Sequence, residues 1–332
     1  MTVQPINLGS KGRRDLKVGL IAILSLFVIF VFAGLIHSVI NEEIPLLEGV
    51  VLGIIIFFGV IFVVIKYREE EAKYQEILKT LDQQKQHILK RAKELKGQRL
   101  SLGRQDRLKK LLPLYRKLPD SLKPKLEERI LLFQEMVEFW LSPGTLNEIT
   151  EEMRDIVSAE ACLLIINRSP ADYLHLKLVE FWGSSIPSSD NKDIVGDASR
   201  ERVRLNWNVI EPSLSEGADN HNTILHEFAH VLDFADDKIT NSIPVSKDSA
   251  EYPKWKALLD KEYPKLLEAH HLNRNHVLDE YALSNPNRAE FFTCATESFF
   301  ERSVRLKKEN PEIYSLLKDF YNLDPAEWIK VP

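Results

Sequence analysis

The sequence predicts an α+β chain, with a two-helix transmembrane hairpin and a helical stalk ahead of a mainly helical domain that holds a small β-sheet. Three observations predict it. Two long uncharged apolar runs lie near the N-terminus, and a polar stretch with apolar residues seven apart follows them. Beyond these, short alternating segments sit among longer runs of helical spacing. The chain has 332 residues, 44% of them hydrophobic and 28% charged, which suits one folded domain plus an accessory segment. Its net charge of −5 speaks against nucleic acid as a partner. The two cysteines, Cys162 and Cys294, both lie in apolar stretches and can build neither a disulfide framework nor a cysteine-rich metal finger.

The first 17 residues form a basic tail. Val18 to Leu35 and Val50 to Ile65 carry no charge, and extending them to about 18–40 and 45–65 adds little that is polar. Roughly 20 apolar helical residues cross a hydrocarbon core, so residues 18–65 read as a hairpin of two spans. Lys11, Arg13, Arg14 and Lys17 precede it, Lys66, Arg68 and Lys73 follow it, and the connection carries Glu42 and Glu43. The positive-inside rule then places both termini and the whole later domain on the cytoplasmic side of the cell (inner) membrane.

Residues 66–112 are rich in Lys, Glu and Gln, with Tyr74, Leu81, Ile88, Leu95 and Leu102 at intervals of seven. The positions that would complete the heptad seam are mostly polar (Gln84, Arg91, Gln98), so the expected element is a weakly coiled helical stalk, open to self-association. Its basic residues from Lys85 to Lys110 suit contact with anionic membrane lipid. Pro113, Pro119 and Pro124 mark the expected start of the main domain, 113–332.

Within that domain Leu126 to Trp140 has helical spacing. Ala161 to Ile166 reads as a short strand, Leu174 to Phe181 as an alternating strand, and Gly183 to Ser189 as a loop. Arg202 to Trp207 alternates again, and the chain from Asn220 onward is mainly helical.

The chemistry is concentrated in His226-Glu227-Phe228-Ala229-His230. Residues four apart share a helix face, so His226 and His230 can present two imidazoles to one metal ion with Glu227 beside it. Zinc suits such ligands and activates water, whose proton Glu227 can take during attack on a peptide carbonyl. Asp219, Asn220 and Asn222 supply helix-starting side chains, and Ile224, Leu225, Phe228, Val231 and Leu232 make the helix apolar on most sides. The alternative is a pair of core histidines satisfied without metal.

A third ligand must come from elsewhere, and Glu290, Glu297, His270, His271, His276 and Cys294 are the candidates downstream. Glu290 and Glu297 stand seven apart among Phe291, Phe292, Phe299 and Phe300, where a carboxylate is costly unless paired or bound to metal. That favours a site of two histidines and one glutamate, holding one Zn²⁺ per chain.

The segments Asn220 to Asp233 and Asp279 to Phe300 resemble the Mlc titration factor A family of zinc peptidases, and a weaker likeness runs over about 118–321. The resemblance implies a lethal-factor-like gluzincin fold and an aminopeptidase-like activity. It implies His226, His230 and Glu290 as ligands, Glu227 as base and Tyr281 as a residue that steadies the oxyanion. Asp233 matches an acidic position suited to orienting an imidazole, and Glu297 also matches a family position. In zincins an edge strand ahead of the motif helix receives extended substrate, a role that would fall to Val203 and Leu205. The expected function is hydrolysis of peptides or flexible protein segments at a membrane. The rival is a membrane-tethered regulatory protein with structural zinc, which would not need Glu227.

Overall fold

The computed structural model describes residues 36–38, 40–41, 45–142, 146–187, 194–214, 222–234, 240–284 and 288–328. Two compact units divide it, Met1–Gln83 and Gln84–Pro332.

Helix α1 (Leu46–Glu94) runs without interruption through the expected end of the hairpin. Among the described residues no helix is long and apolar enough to cross a membrane, so the two-span hairpin is not supported. Residues 18–35 of the first expected span lie outside the described residues. On α1 the side chains of Ile54, Phe57, Phe58, Phe62 and Ile65 are exposed, as are Ile77, Leu78 and Leu81 further on.

The expected stalk ends sooner than Pro113. Ile88 and Leu95 are buried against Leu132, and Leu100, Leu108 and Leu112 enter the main core. The carboxylate of Glu127, itself fully buried, fixes this segment: it accepts from Arg99 Nε (2.7 Å), the Leu100 amide (3.1 Å) and the Tyr115 hydroxyl (3.1 Å). Asp155, equally buried, takes Arg104 Nε at 2.9 Å. A buried carboxylate persists only when partnered in this way, so the second unit owns the chain from Gln84 onward.

After α2 (Leu102–Leu111), α3 (Pro113–Lys117) and α4 (Lys123–Met136), the chain turns straight into β1 (Glu138–Leu141). Helix α5 (Glu151–Leu164) starts at Thr150, whose side chain accepts the Met153 amide at 3.1 Å, with Glu151 and Glu152 in the first turn. The expected strand at Ala161 to Ile166 is the end of this helix. It is apolar on every side because it is buried on every side, a pattern that cannot be told from a buried strand over six residues.

A 3₁₀ turn (Pro170–Tyr173) leads to β2 (Leu178–Trp182), then β3 (Gly196–Ala198) and β4 (Arg202–Asn206). The four strands are ordered β1-β2-β4-β3. β1, β2 and β4 run parallel, and β3 pairs antiparallel with β4. Val179, Phe181, Val203 and Leu205 are fully buried on the sheet's inner face.

Helix α6 (Trp207–Ser213) follows β4, and α7 (Thr223–Asp233) lies against the sheet's β3–β4 side. Edge-to-face rings of Phe133, Tyr173 and Phe228 tie α4, the 3₁₀ turn and α7 into one core. Helices α8 (Tyr252–His271), α9 (Glu290–Glu301), α10 (Ser303–Glu309) and α11 (Pro311–Tyr321) complete the domain, and α9 packs on α7.

Candidate metal centre

The site is built on α7. Asn222 starts that helix by accepting the Leu225 amide at 3.0 Å, and His226 and His230 follow one turn apart on one face. Their rings lie 4.9 Å apart by centroid. Glu290, the first residue of α9, reaches both: its Oε2 is 3.0 Å from His226 Nε2 and 2.9 Å from His230 Nε2. One ligand atom from each of the three residues falls within 4.8 Å of the other two, and all three residues are buried. The expected two-histidine, one-glutamate set is thus brought together in space.

These residues fit a metal ion on their own chemistry. His226 gives its Nδ1 hydrogen to Glu297 Oε1 at 2.7 Å, so Nε2, which faces Glu290, is the nitrogen a metal ion would take in place of a proton. Glu297 Oε2 meanwhile takes the Asn222 amide at 2.8 Å, so one carboxylate orients the imidazole and holds the start of its helix. Burial opposes charge on His226, but contacts with Cys294, Glu290 and Glu297 outweigh it and hold the imidazole well above its ordinary pKa. Burial likewise opposes charge on Glu290, yet the two histidines hold its carboxyl well below the usual range.

Glu227 lies against Gly196 of β3. Burial pushes its carboxyl up to about 8, against the pull of His226, with Glu290 and Asp197 adding to the rise. Tyr281 sits in the 3₁₀ turn Glu280–Leu283, about half exposed, with its ring 5.5 Å from that of His226. It stands at the mouth of the site, where a phenol can meet a bound carbonyl.

One expected role widens and another moves. Asp233 Oδ2 accepts the amides of Asn241 and Ser242, both at 2.8 Å, and His230 favours the charged form of its carboxyl. Ser242 Oγ then donates to the Arg288 carbonyl and accepts the Phe292 amide at 2.8 Å. Through this relay the end of α7 positions the start of α9, and hence Glu290. Val203 and Leu205 are fully buried, and β4 is paired on both sides, so this strand is not an edge that can take up a substrate. The edge position beside α7 belongs to β3.

Three contributors were not foreseen in their roles. Gly196 on β3 lets the sheet approach the motif: a Cβ there would stand 2.8 Å from Cγ and Oε1 of Glu227 and 2.8 Å from Thr223 Cγ2. Only the lone glycine in an otherwise ordinary strand could have hinted at it. Cys294, a candidate third ligand by sequence, instead forms a second grouping with His226 and Glu297. Asn222 starts the helix as expected, but its amide's tie to Glu297 had no sequence signal. His270 lies outside the centre, half exposed, with Nδ1 3.1 Å from Glu280.

A mainly helical domain with a small mixed sheet and this donor set defines the metallopeptidase class. Residues 86–322 match the family described as glucose-regulated metallo-peptidase M90, and the chain belongs to that family. An uncharacterized protein of Synechocystis sp. is 32% identical over 228 residues, 64% of this chain and 81% of the relative. The Mlc titration factor A of Edwardsiella ictaluri is 31% identical over 127 residues, 38% of this chain and 47% of the relative. That of Yersinia pestis is 29% identical over 132 residues, covering 39% and 46%. The chain thus spans about half the length of the Mlc titration factor A proteins that it matches.

Proposed function

We propose that this protein is a zinc-dependent peptidase of gluzincin type, with His226, His230 and Glu290 holding one Zn²⁺ and Glu227 acting as general base. The observation that carries the reading is the convergence of both Nε2 atoms and one Glu290 oxygen beside a second buried carboxylate, that of Glu227. A resident zinc ion would supply Lewis acidity and lower the pKa of water in the site. Glu227 takes the proton of the attacking water on its carboxylate and returns it to the leaving amine. Tyr281 donates its hydroxyl hydrogen to the oxyanion that develops from the carbonyl. Glu297 keeps the His226 tautomer fixed throughout. An aminopeptidase-like preference belongs to the same proposal and rests on the likeness to Mlc titration factor A.

Location and partners extend the reading. We place the protein at the cytoplasmic face of a membrane, supported by the basic flanks of the apolar runs and by the exposed Ile54, Phe57, Phe58, Phe62 and Ile65, which call for apolar cover. Self-association through the expected stalk falls to the exposed Ile77, Leu78 and Leu81, since the heptad residues Ile88 and Leu95 are buried.

The test is bound zinc and peptide hydrolysis for the full chain and for Glu227→Gln. The expected result is zinc in both and hydrolysis only in the wild type. Hydrolysis surviving in Glu227→Gln would remove the mechanism, and a wild type without zinc would remove the site.

A further inference from the structure

A cavity of about 670 Å³ lies between the end of α1, the start of α4 and the 3₁₀ turn at Pro170, lined by none of the metal-centre residues. Five cations face it: Lys90, Lys93 and Lys96 from α1 and the turn after it, and Lys125 and Arg129 from α4. The opposing charge on its wall is Glu128, and that carboxylate already accepts the Gly97 amide at 2.7 Å. Among the described residues Lys93, Lys96, Lys125 and Arg129 form no ion pair, and Lys90 is 3.9 Å from Glu94, which Arg91 also engages at 3.0 Å.

Lys125 and Arg129 are only partly exposed and lie one helical turn apart, an arrangement that like charges resist. Burial lowers the pKa of both, and the neighbouring guanidinium lowers that of Lys125 further. The Lys125 ammonium reaches a neutral partner, Asn167 Oδ1, at 2.8 Å. The Arg129 Nε is buried with no hydrogen-bond partner. Asp172, whose charge Arg129 also feels, is taken by Arg168 at 2.7 Å. Two crowded, partly desolvated cations with an unused N–H call for an anion that the protein does not supply. The rest of the wall is apolar, with Leu89, Ala92, Pro124 and Pro170. The volume also exceeds what a bare inorganic anion fills.

We infer that this cavity is a binding site for a phosphate ester with an apolar body, its phosphate held by Arg129 and Lys125 and its body by the Leu89–Pro124 wall. The same chemistry is offered by a soluble phosphate monoester and by the headgroup of an anionic lipid. The site is separate from the metal centre and does not depend on the peptidase reading.

Calorimetric titration of the purified full chain tests it, with phenyl phosphate as the soluble probe and dihexanoylphosphatidic acid as the lipid probe. Dihexanoylphosphatidylcholine, which lacks a net charge, is the control. Saturable binding of either anionic probe is expected, weakening as salt rises and falling about tenfold or more in Arg129→Gln. Preference for phenyl phosphate assigns a soluble ester, and preference for the phosphatidic acid assigns a lipid headgroup. Because Arg129 also touches the Arg168 carbonyl, Lys93→Gln/Lys96→Gln, at exposed positions, provides a second variant that leaves the fold intact and is expected to bind more weakly. Absence of saturable binding, equal binding of the phosphatidylcholine, or unchanged affinity in both variants overturns the proposal.

Discussion

The carboxylate of Glu297 joins His226 to Asn222: one oxygen accepts the imidazole Nδ1 hydrogen at 2.7 Å, the other the Asn222 amide at 2.8 Å. Removing it frees the ring of a proposed metal ligand and loosens the helix that carries it. Glu297→Ala is expected to weaken metal binding about 10- to 100-fold. Glu297→Gln, which can still accept from Nδ1, should lose less. Competition with a chromophoric chelator measures both, and wild-type affinity in Glu297→Ala would deny the role.

Gly196 tests the approach of β3 to Glu227. An added methyl would stand 2.8 Å from two Glu227 atoms, so the base or the strand must shift. Overpacking of this kind costs about 1–3 kcal/mol. Gly196→Ala should therefore lower kcat by about tenfold or more while bound metal stays at the wild-type level. An unchanged kcat would show that the base is free to move.

Much of this site was legible in the sequence for a physical reason. A helix places residues four apart on one face, so His226 and His230 could be paired from spacing alone. A carboxylate among four phenylalanines needs a partner, which pointed to Glu290 and Glu297 alike, and the family resemblance singled out Glu290. What could not be read depends on contacts between distant segments. The Glu297 tie to Asn222 spans 75 residues, and neither residue type announces it. Fold elements divide in the same way. Arg202 to Asn206 alternated and is a strand, whereas Ala161 to Ile166, buried all round, is the last turn of a helix and the residues that close it, because burial erases the period that separates the two. β1 and β3, of four and three residues, are too short to show a period.

Asp233 holds two buried amides, those of Asn241 and Ser242. Asp233→Ala leaves both without an acceptor and should destabilise the domain by about 2–4 kcal/mol. Because Ser242 in turn binds Arg288 and Phe292, metal affinity should fall too, whereas Asp233→Asn should show milder losses. Urea unfolding and chelator competition together check this, and a stability loss with unchanged metal affinity would break the link to Glu290.

His175 supplies acid sensitivity away from the metal. Burial lowers its pKa from 6.5 to about 4, although its Nε2 meets the Val231 carbonyl at 3.0 Å. The unfolded chain takes up the proton below 6.5, while the folded chain resists it until about 4. Stability is therefore full above 6.5 and declines as pH falls through that window, by about 3 kcal/mol in all. His175→Gln should remove this part of the decline. Urea unfolding of both chains without metal, at neutral pH and near pH ~4.5, measures the difference. Parallel loss in both would assign the sensitivity elsewhere.

Ser242 has one more consequence. Its hydroxyl meets the Arg288 carbonyl 46 positions on, so the two ends of the intervening segment meet at one residue. That segment carries all of α8 and also Tyr281, while His226, His230 and Glu290 lie outside it. A change in that segment reaches the start of α9 by two routes, the Ser242 junction and Trp255, whose ring packs on that of Phe292.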